Sequence, residues 1–187
     1  RIYGDDETGY RVEPGDDFLD GGEGDDLLSG GAGADSLSGG AGVDGLYGDM
    51  GNDILDGGGD ADTLFGGDGA DELYGGASDD LLVGDGLNNQ SDSGTAGADD
   101  FLDGGEGNDV LEGGIGADTL FGGAGNDRLF GQDDDDSLFG DEGDDELQGM
   151  AGNDLLSGDT GHDRLFSQDG ADTLYGDEGN DTLSGGE

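Results

Sequence analysis

The chain repeats one aspartate at an interval of nine residues, and the spacing of these carboxylates is its clearest chemical signal. Written in nines, seven blocks fill residues 21–83 and nine more fill residues 104–184. All sixteen blocks have Asp at the sixth position and Leu at the eighth, and half-blocks at 15–20 and 98–103 keep this register. With the half-blocks included, the sixth-position residues are Asp17, Asp26, Asp35, Asp44, Asp53, Asp62, Asp71, Asp80, Asp100, Asp109, Asp118, Asp127, Asp136, Asp145, Asp154, Asp163, Asp172 and Asp181.

Carboxylates repeated in this way predict cation binding. In a stacked repeat, aspartates eighteen residues apart, such as Asp26 and Asp44, would lie only about 5 Å from each other. Negative charges so close need counterions. The glycine-rich turns place backbone carbonyl oxygens beside these carboxylates, and Ca²⁺ prefers flexible ligation by oxygen atoms alone.

The composition disfavours the other common metals. Zn²⁺ and Cu²⁺ prefer His or Cys ligands, whereas the chain has one His and no Cys. Mg²⁺ releases its water molecules reluctantly and suits such sites poorly. We therefore predict that the chain binds Ca²⁺, with about 12–16 ions at roughly one per nonamer, less losses at the ends and interruptions.

The elements that position these carboxylates follow from the rest of the nonamer. Its first position is Gly in fifteen blocks and its fourth in thirteen, and glycine adopts positive φ at little steric cost, so positions 1–6 predict a turn. Positions 7–9 predict a three-residue strand whose Leu points inward. Two nonamers would form one coil of an all-β, right-handed parallel solenoid. About nine coils would make a rod on the order of 40 Å long.

The composition by itself predicts disorder and excludes several partners. The chain has 48 glycines and 50 acidic residues against four basic ones, so its net charge is −46. Such a polyanion is not expected to bind nucleic acid or an anionic membrane surface, and no apolar run is long enough for membrane insertion. A disordered tail would not need Leu and Asp held two residues apart over sixteen repeats, so the repeat argues for folding.

Blocks such as GGEGDDLLS (21–29) and GGAGADSLS (30–38) resemble the GGxGxDxUx nonapeptide of RTX (repeats-in-toxin) proteins. The resemblance covers roughly residues 15–187. It implies a parallel β-roll with Ca²⁺ held between neighbouring turns by the sixth-position Asp and turn carbonyls, and it implies this role more weakly for Asp17 and Asp100. It also implies type I secretion of an unfolded bacterial chain that folds outside the cell. Departures at the second position are Asp49, Gln132, Asp141, Met150, Asp159, Gln168 and Asp177.

Two interruptions, at about 6–15 and 86–98, separate repeat arrays 15–83 and 98–187 within one β-roll section, 1–187. We interpret them as loops extruded from one edge, with a contact to another module or a cap as the alternative. Ser78 replaces the fourth-position Gly shortly before the second interruption. Its turn is expected to lack a regular neighbour on the same side and to open first.

Nothing in the chain predicts an enzyme. His162 beside Asp163 occupies a variable position, and no nucleophile elbow surrounds Ser157 or Ser167. Carboxylates are so frequent that no pair is singled out for acid–base catalysis. Arg128 and Arg164 are expected to be local charge partners at the outward seventh position.

Aromatic residues at the ninth position are expected to face outward. We expect them to stack along the sheets, with Tyr47 and Phe65 on one face and Phe121 and Phe139 on another. The alternative is a surface for a glycan, a neighbouring filament or another domain. The resulting hypothesis is a secreted calcium-binding spacer or scaffold of a larger protein, with end-to-end or lateral self-association and contact with neighbouring domains left open. A glycan-binding or self-assembling adhesin-like module is the alternative.

Overall fold

The computed structural model describes residues 2–3, 15–85 and 97–186. This part of the chain consists of short strands and turns, with no helix and thus none that could span a membrane. All strand pairs are parallel, and the strands form two sheets that face each other across the leucine side chains. Consecutive strands alternate between the sheets except at β16–β17 and β19–β20.

Sheet 1 contains, in spatial order, β1 (Ile2–Tyr3), β3 (Leu27–Ala32), β5 (Gly45–Met50), β7 (Thr63–Asp68), β9 (Leu81–Asp85), β11 (Val110–Ile115), β13 (Arg128–Asp133), β15 (Glu146–Ala151), β18 (Arg164–Asp169) and β21 (Thr182–Ser184). Sheet 2 contains β2 (Phe18–Glu23), β4 (Ser36–Ala41), β6 (Ile54–Gly59), β8 (Glu72–Ala77), β10 (Phe101–Glu106), β12 (Thr119–Ala124), β14 (Ser137–Glu142), β16 (Leu155–Ser157) and β19 (Thr173–Tyr175). Two short strands extend sheet 2 beyond β14, namely β17 (Thr160–Gly161) and β20 (Glu178–Gly179).

The strand register confirms the predicted coil of two nonamers. Leu28 pairs with Leu46, and Leu37 pairs with Leu55, so neighbouring strands of a sheet are eighteen residues apart. The two sheets are therefore built from alternate nonamers. The fold is the predicted parallel β-roll.

Most strands are longer than the sequence predicts. A typical strand has six residues and covers positions 7–9 of one nonamer and 1–3 of the next, as in β3 and β12. The parallel ladder continues through position 3, where Ala32 pairs with Met50. The turn proper is therefore limited to positions 4–6, because hydrogen bonding to the neighbouring coils keeps the first three positions in the sheet.

The core is a double row of leucines from the eighth position. Sixteen of these leucines are buried and form one cluster, from Leu19 to Leu165. Leu174 is partly buried, and Leu183 is 45% exposed. The core thus contains one apolar side chain per nonamer and thins toward the last coil.

The strands on either side of the second interruption pair in register. Leu73 pairs with Leu102, and Leu82 pairs with Leu111. These offsets are 29 rather than 18, so the interrupted coil contains eleven additional residues. The interruptions predicted at 6–15 and 86–98 lie almost wholly outside the described residues.

The prediction about Ser78 was wrong in one respect. Its turn does have a neighbour on the same side, because the Ser78 N–H donates a hydrogen bond of 2.5 Å to the carbonyl of Glu106. The additional residues lie between Gly84 and Asp100, in a nonamer whose Asp is bonded to Asp71 and Asp118, whereas Asp80 of the Ser78 nonamer is bonded to Asp62 and Asp109.

Candidate metal centres

The sixth-position aspartates form two columns, one along each edge of the roll. In each column the N–H of one Asp donates to Oδ1 of the Asp in the next coil, at 2.7–3.2 Å. The first column contains Asp17, Asp35, Asp53, Asp71, Asp100, Asp118, Asp136, Asp154 and Asp172. The second contains Asp26, Asp44, Asp62, Asp80, Asp109, Asp127, Asp145, Asp163 and Asp181. The structure thus brings together all eighteen residues that the sequence singles out.

Fourteen of these side chains are buried, with an exposed fraction of at most 4%. The other four, Asp17, Asp26, Asp172 and Asp181, are half-buried and lie at the two ends of the columns. Asp100 belongs to the buried group, although its half-block made it a weaker candidate in the sequence. Burial is therefore set by the coils stacked on both sides, which the end residues lack on one side.

One oxygen atom of each central carboxylate lies buried without a hydrogen-bond partner. Oδ1 accepts the N–H of the preceding coil, whereas Oδ2 accepts nothing. A buried polar atom left in this way destabilises the folded state unless another ligand reaches it. The residues with such an Oδ2 are Asp44, Asp53, Asp62, Asp71, Asp80, Asp100, Asp109, Asp118, Asp127, Asp136, Asp145, Asp154 and Asp163.

Burial raises the pKa values of these carboxyl groups. The pKa is raised to about 8 at Asp71 and Asp136, and to about 9 at Asp100. Loss of hydration is the main cause and neighbouring carboxylates add to it, while the N–H donated to Oδ1 lowers the pKa. The pKa is raised to about 6 or 7 at Asp53, Asp62, Asp80, Asp109, Asp118, Asp127 and Asp145. Burial of these carboxyl groups in the calcium-free fold therefore favours their protonated form.

Backbone carbonyl oxygens lie beside the unpartnered Oδ2 atoms. An ideal Cβ on Gly57 would lie 2.6 Å from Asp62 Oδ2 and 2.7 Å from the carbonyl oxygen of Gly75 in the next coil. The corresponding distances at Gly122 are 2.6 Å to Asp127 Oδ2 and 2.8 Å to the carbonyl oxygen of Gly140. Glycine at the first position thus leaves space beside two oxygen atoms that a side chain would fill.

This donor set fits calcium. Within the described ranges, no group of three or more Asp, Glu or His side chains could hold a metal ion. At Gly57 and Gly122 the oxygen beside the column carboxylate is instead a main-chain one. A carboxylate beside a carbonyl oxygen is an all-oxygen, adaptable environment of the kind that Ca²⁺ binds, and it lacks the nitrogen and sulfur ligands of Zn²⁺ sites.

The turns that carry these carbonyls use positive φ at two positions. The fourth position was expected to require it, and its non-glycine residues Asp60, Ser78 and Asp134 have φ of 73°, 90° and 85°. The second position requires it as well, which the sequence analysis missed. The non-glycine residues at the second position of the nonamers have φ from 56° to 86° and are Asp49, Gln132, Asp141, Met150, Asp159, Gln168 and Asp177. The Gly-Gly pair that opens most blocks was the available signal.

A second ladder outside the columns links the fifth positions and explains His162. The His162 N–H donates to Asp144 Oδ1, and the ring Nδ1 accepts the N–H of Asn180. Asn108 and Asn126 extend the same ladder through their side-chain amides. The single histidine is therefore one link in a series of turn-to-turn hydrogen bonds.

The outward residues partly follow the expectations. Arg164 Nη2 contacts Glu146 Oε2 at 2.9 Å, as a local charge partner. In the part of the chain that the structure describes, Arg128 forms no such ion pair, so the expectation for Arg128 was wrong. Arg128 and Arg164 occupy neighbouring places on either side of Glu146 in sheet 1.

The aromatic stacking expected along the sheets is confirmed. The ring centroids of Tyr47 and Phe65 are 5.2 Å apart, and those of Phe121 and Phe139 are 4.8 Å apart. Phe101, at a seventh position, was missed: its ring lies 5.8 Å from that of Tyr74 and 5.7 Å from that of Phe121. The rings thus form a row across four coils of sheet 2, and they contact one another.

The comparisons with known proteins agree with this geometry. The RTX calcium-binding nonapeptide repeat family matches in overlapping segments that together cover residues 13–90 and 94–187. A comparison with curated proteins finds no match. Repeats of the matched family bind calcium, so the cation of this chain is Ca²⁺, bound as multiple ions. The chain belongs to the RTX calcium-binding nonapeptide repeat family.

Proposed function

We propose that the chain is a structural module whose folding is controlled by calcium. The observation that carries the proposal is the set of buried Oδ2 atoms without a hydrogen-bond partner along both columns. Without a cation, these carboxylates oppose folding by repulsion and by lost hydration. With calcium bound, the same oxygens become ligands that only the folded chain can supply, so binding free energy becomes folding free energy.

In this proposal the eighteen column aspartates, together with turn carbonyls of neighbouring coils, hold about 12–16 Ca²⁺ ions, one per nonamer with losses at the ends and at the interruptions. About 14 ions would reduce the formal charge of −46 to about −18. The ion itself supplies positive charge and cross-links adjacent coils. The protein supplies the stacked turns, and the leucine rows keep the two sheets together.

Such a module suits a non-enzymatic spacer or scaffold in a larger protein. It would remain unfolded where calcium is scarce and would fold to a rod where calcium is abundant, which suits export of an unfolded bacterial chain and an extracellular location. The contacts among the rings from Tyr74 to Phe139 support a stabilising role for the aromatic row. Neighbouring domains or other copies of the chain would attach through surfaces outside the two columns.

Circular dichroism and calorimetry test the proposal. In excess EGTA the chain should give the spectrum of an unfolded polypeptide, and millimolar Ca²⁺ should produce a β spectrum in one cooperative transition. Isothermal titration should then count about 12–16 ions. Mg²⁺ at the same concentration is the control and should not restore the β spectrum. A β spectrum that persists in EGTA, or fewer than about six bound ions, would contradict the proposal.

A further inference from the structure

Ser167 is the one residue other than glycine at the first position of the sixteen nonamers. It is fully buried, and its hydroxyl oxygen has no hydrogen-bond partner. A serine hydroxyl can both donate and accept a hydrogen bond, so leaving it buried and unpartnered destabilises the fold unless it has a ligand. The buried hydroxyl oxygen of Ser167 therefore needs a hydrogen-bond partner or another ligand.

The backbone direction at this position points toward the carboxylate column. At every glycine that precedes Ser167 at the same place in sheet 1, the nearest neighbour of an added Cβ would be Oδ2 of the column Asp of the same nonamer, which lies five residues later except at Gly84, where it is Asp100. These glycines are Gly30, Gly48, Gly66, Gly84, Gly113, Gly131 and Gly149. Ser167 has a real Cβ at the corresponding position, so its side chain enters the space beside the column Asp of its own nonamer, Asp172.

Asp172 differs from the central aspartates of its column. It is half-buried, whereas Asp154 in the preceding coil is buried. Its Oδ1 still accepts the N–H of Asp154, at 3.0 Å. The segment 167–172 thus keeps its column carboxylate and has a second side-chain oxygen at the position where the other fifteen nonamers have glycine.

From these observations we infer that Ser167 Oγ is an additional calcium ligand in the segment 167–172. This inference rests on the proposed function, because it requires Ca²⁺ beside the column carboxylates. A neutral hydroxyl oxygen is a suitable donor for Ca²⁺ and brings no further negative charge into the column. The extra donor strengthens calcium binding near the end of the described roll, where Asp172 is less shielded from water than the central aspartates.

The variants S167G and S167A test whether the Ser167 side chain binds calcium or only crowds the neighbouring carboxylate. S167G restores the residue of the other fifteen nonamers, so it is compatible with the turn, and S167A removes only the hydroxyl. Hydrogen exchange during a calcium titration would report the midpoint, which is the calcium concentration that gives half of the maximal protection from exchange. It would be measured for peptides from 164–175 and, as an internal reference, from 119–139. Both variants should raise the local midpoint about threefold to tenfold without moving that of 119–139. S184A, which removes an exposed serine from β21, is the matched control and should change neither midpoint.

A lower or unchanged local midpoint in S167G would overturn the inference, because glycine would then be the better or equal residue. A wild-type chain that gains no protection from calcium at all would instead overturn the proposed function. A third variant gives a direct readout, since the chain has no cysteine. In S167C, Cd²⁺ should produce the charge-transfer absorption of a metal–thiolate bond, and its absence from a folded, Cd²⁺-saturated S167C would also overturn the inference.

Discussion

Replacing one buried column carboxylate should have opposite effects with and without calcium. Asp136 is 1% exposed, its Oδ1 accepts the Asp118 N–H at 2.9 Å, and its Oδ2 has no hydrogen-bond partner. Asp136→Asn keeps an oxygen acceptor for that N–H and removes the charge. Because Asp133 lies exposed at the end of β13, in the same nonamer, Asp133→Asn is a control with the same change in charge.

The size of the calcium-free effect follows from the pKa. Burial raises the pKa of Asp136 from 3.8 to about 8. These values are about four pH units apart, and each unit corresponds to about 1.4 kcal/mol, so the ionised side chain costs the calcium-free fold up to about 5 kcal/mol at pH 8. Asp136→Asn should recover much of this free energy, whereas Asp133→Asn should change the free energy of unfolding by no more than about 0.5 kcal/mol.

Folding induced by trimethylamine oxide in excess EGTA at pH 8, followed by circular dichroism, measures this effect, because the osmolyte favours burial without supplying a cation. Asp136→Asn should fold at a lower osmolyte concentration than the wild type. In saturating Ca²⁺ the same variant should be less stable by about 3–5 kcal/mol, since a buried cation loses its counter-charge. Equal behaviour of both variants in EGTA, or no loss in Ca²⁺, would refute the assignment of Asp136 as a buried ligand.

Two further predictions concern pH and the interrupted coil. The folded-state pKa values of about 6–9 in the columns exceed the unfolded value of 3.8, so the calcium-free fold binds more protons than the unfolded chain and should gain stability as pH falls from about 9 to about 4. Circular dichroism in EGTA should show β structure increasing over this range, and a loss of structure on acidification would contradict the sign. Phe101→Ala should lower the free energy of unfolding in Ca²⁺ by about 1–3 kcal/mol in urea denaturation, because it removes contacts with Tyr74 and Phe121 across the interrupted coil. Phe18 occupies the equivalent place in the other DDFLD segment, 16–20, and is 77% exposed. Phe18→Ala should therefore lower the free energy of unfolding by no more than about 0.5 kcal/mol. Equal losses in the two variants would show that the row of rings contributes nothing to stability.

The column that contains Asp26, Asp44 and Asp62 could be predicted from the sequence because its geometry is local. A period of nine with Leu two residues after Asp sets which side chains face the core and which turns share an edge. Repetition then places equivalent atoms in neighbouring coils, so the hydrogen bonds from one Asp to the next need no further information. The choice of calcium followed from the same local chemistry of carboxylates, glycine turns and missing cysteine.

The strand lengths could not be predicted in this way. Positions 1–3 are rich in glycine and were interpreted as turn, yet in strands such as β12 they pair with both neighbouring coils. Stacking supplies hydrogen-bond partners that an isolated nonamer lacks. These partners keep the strand continuous through position 2 of the nonamer, although the residue there has a positive φ. Met150, with φ of 78°, occupies such a position in β15.

The sequence by itself determined the repeating unit: the Leu rows, the two Asp columns, the parallel coil and the nature of the cation. Only the tertiary structure decided how the units meet where the repeat is broken, because that depends on which coils stack and not on the local pattern. Burial raises the pKa of Asp100 to about 9, since coils stack on it from both sides although its own nonamer is interrupted. Phe101 joins a row of rings for the same reason, whereas Phe18, in the same local sequence, has no ring beside it among the described residues and is largely exposed.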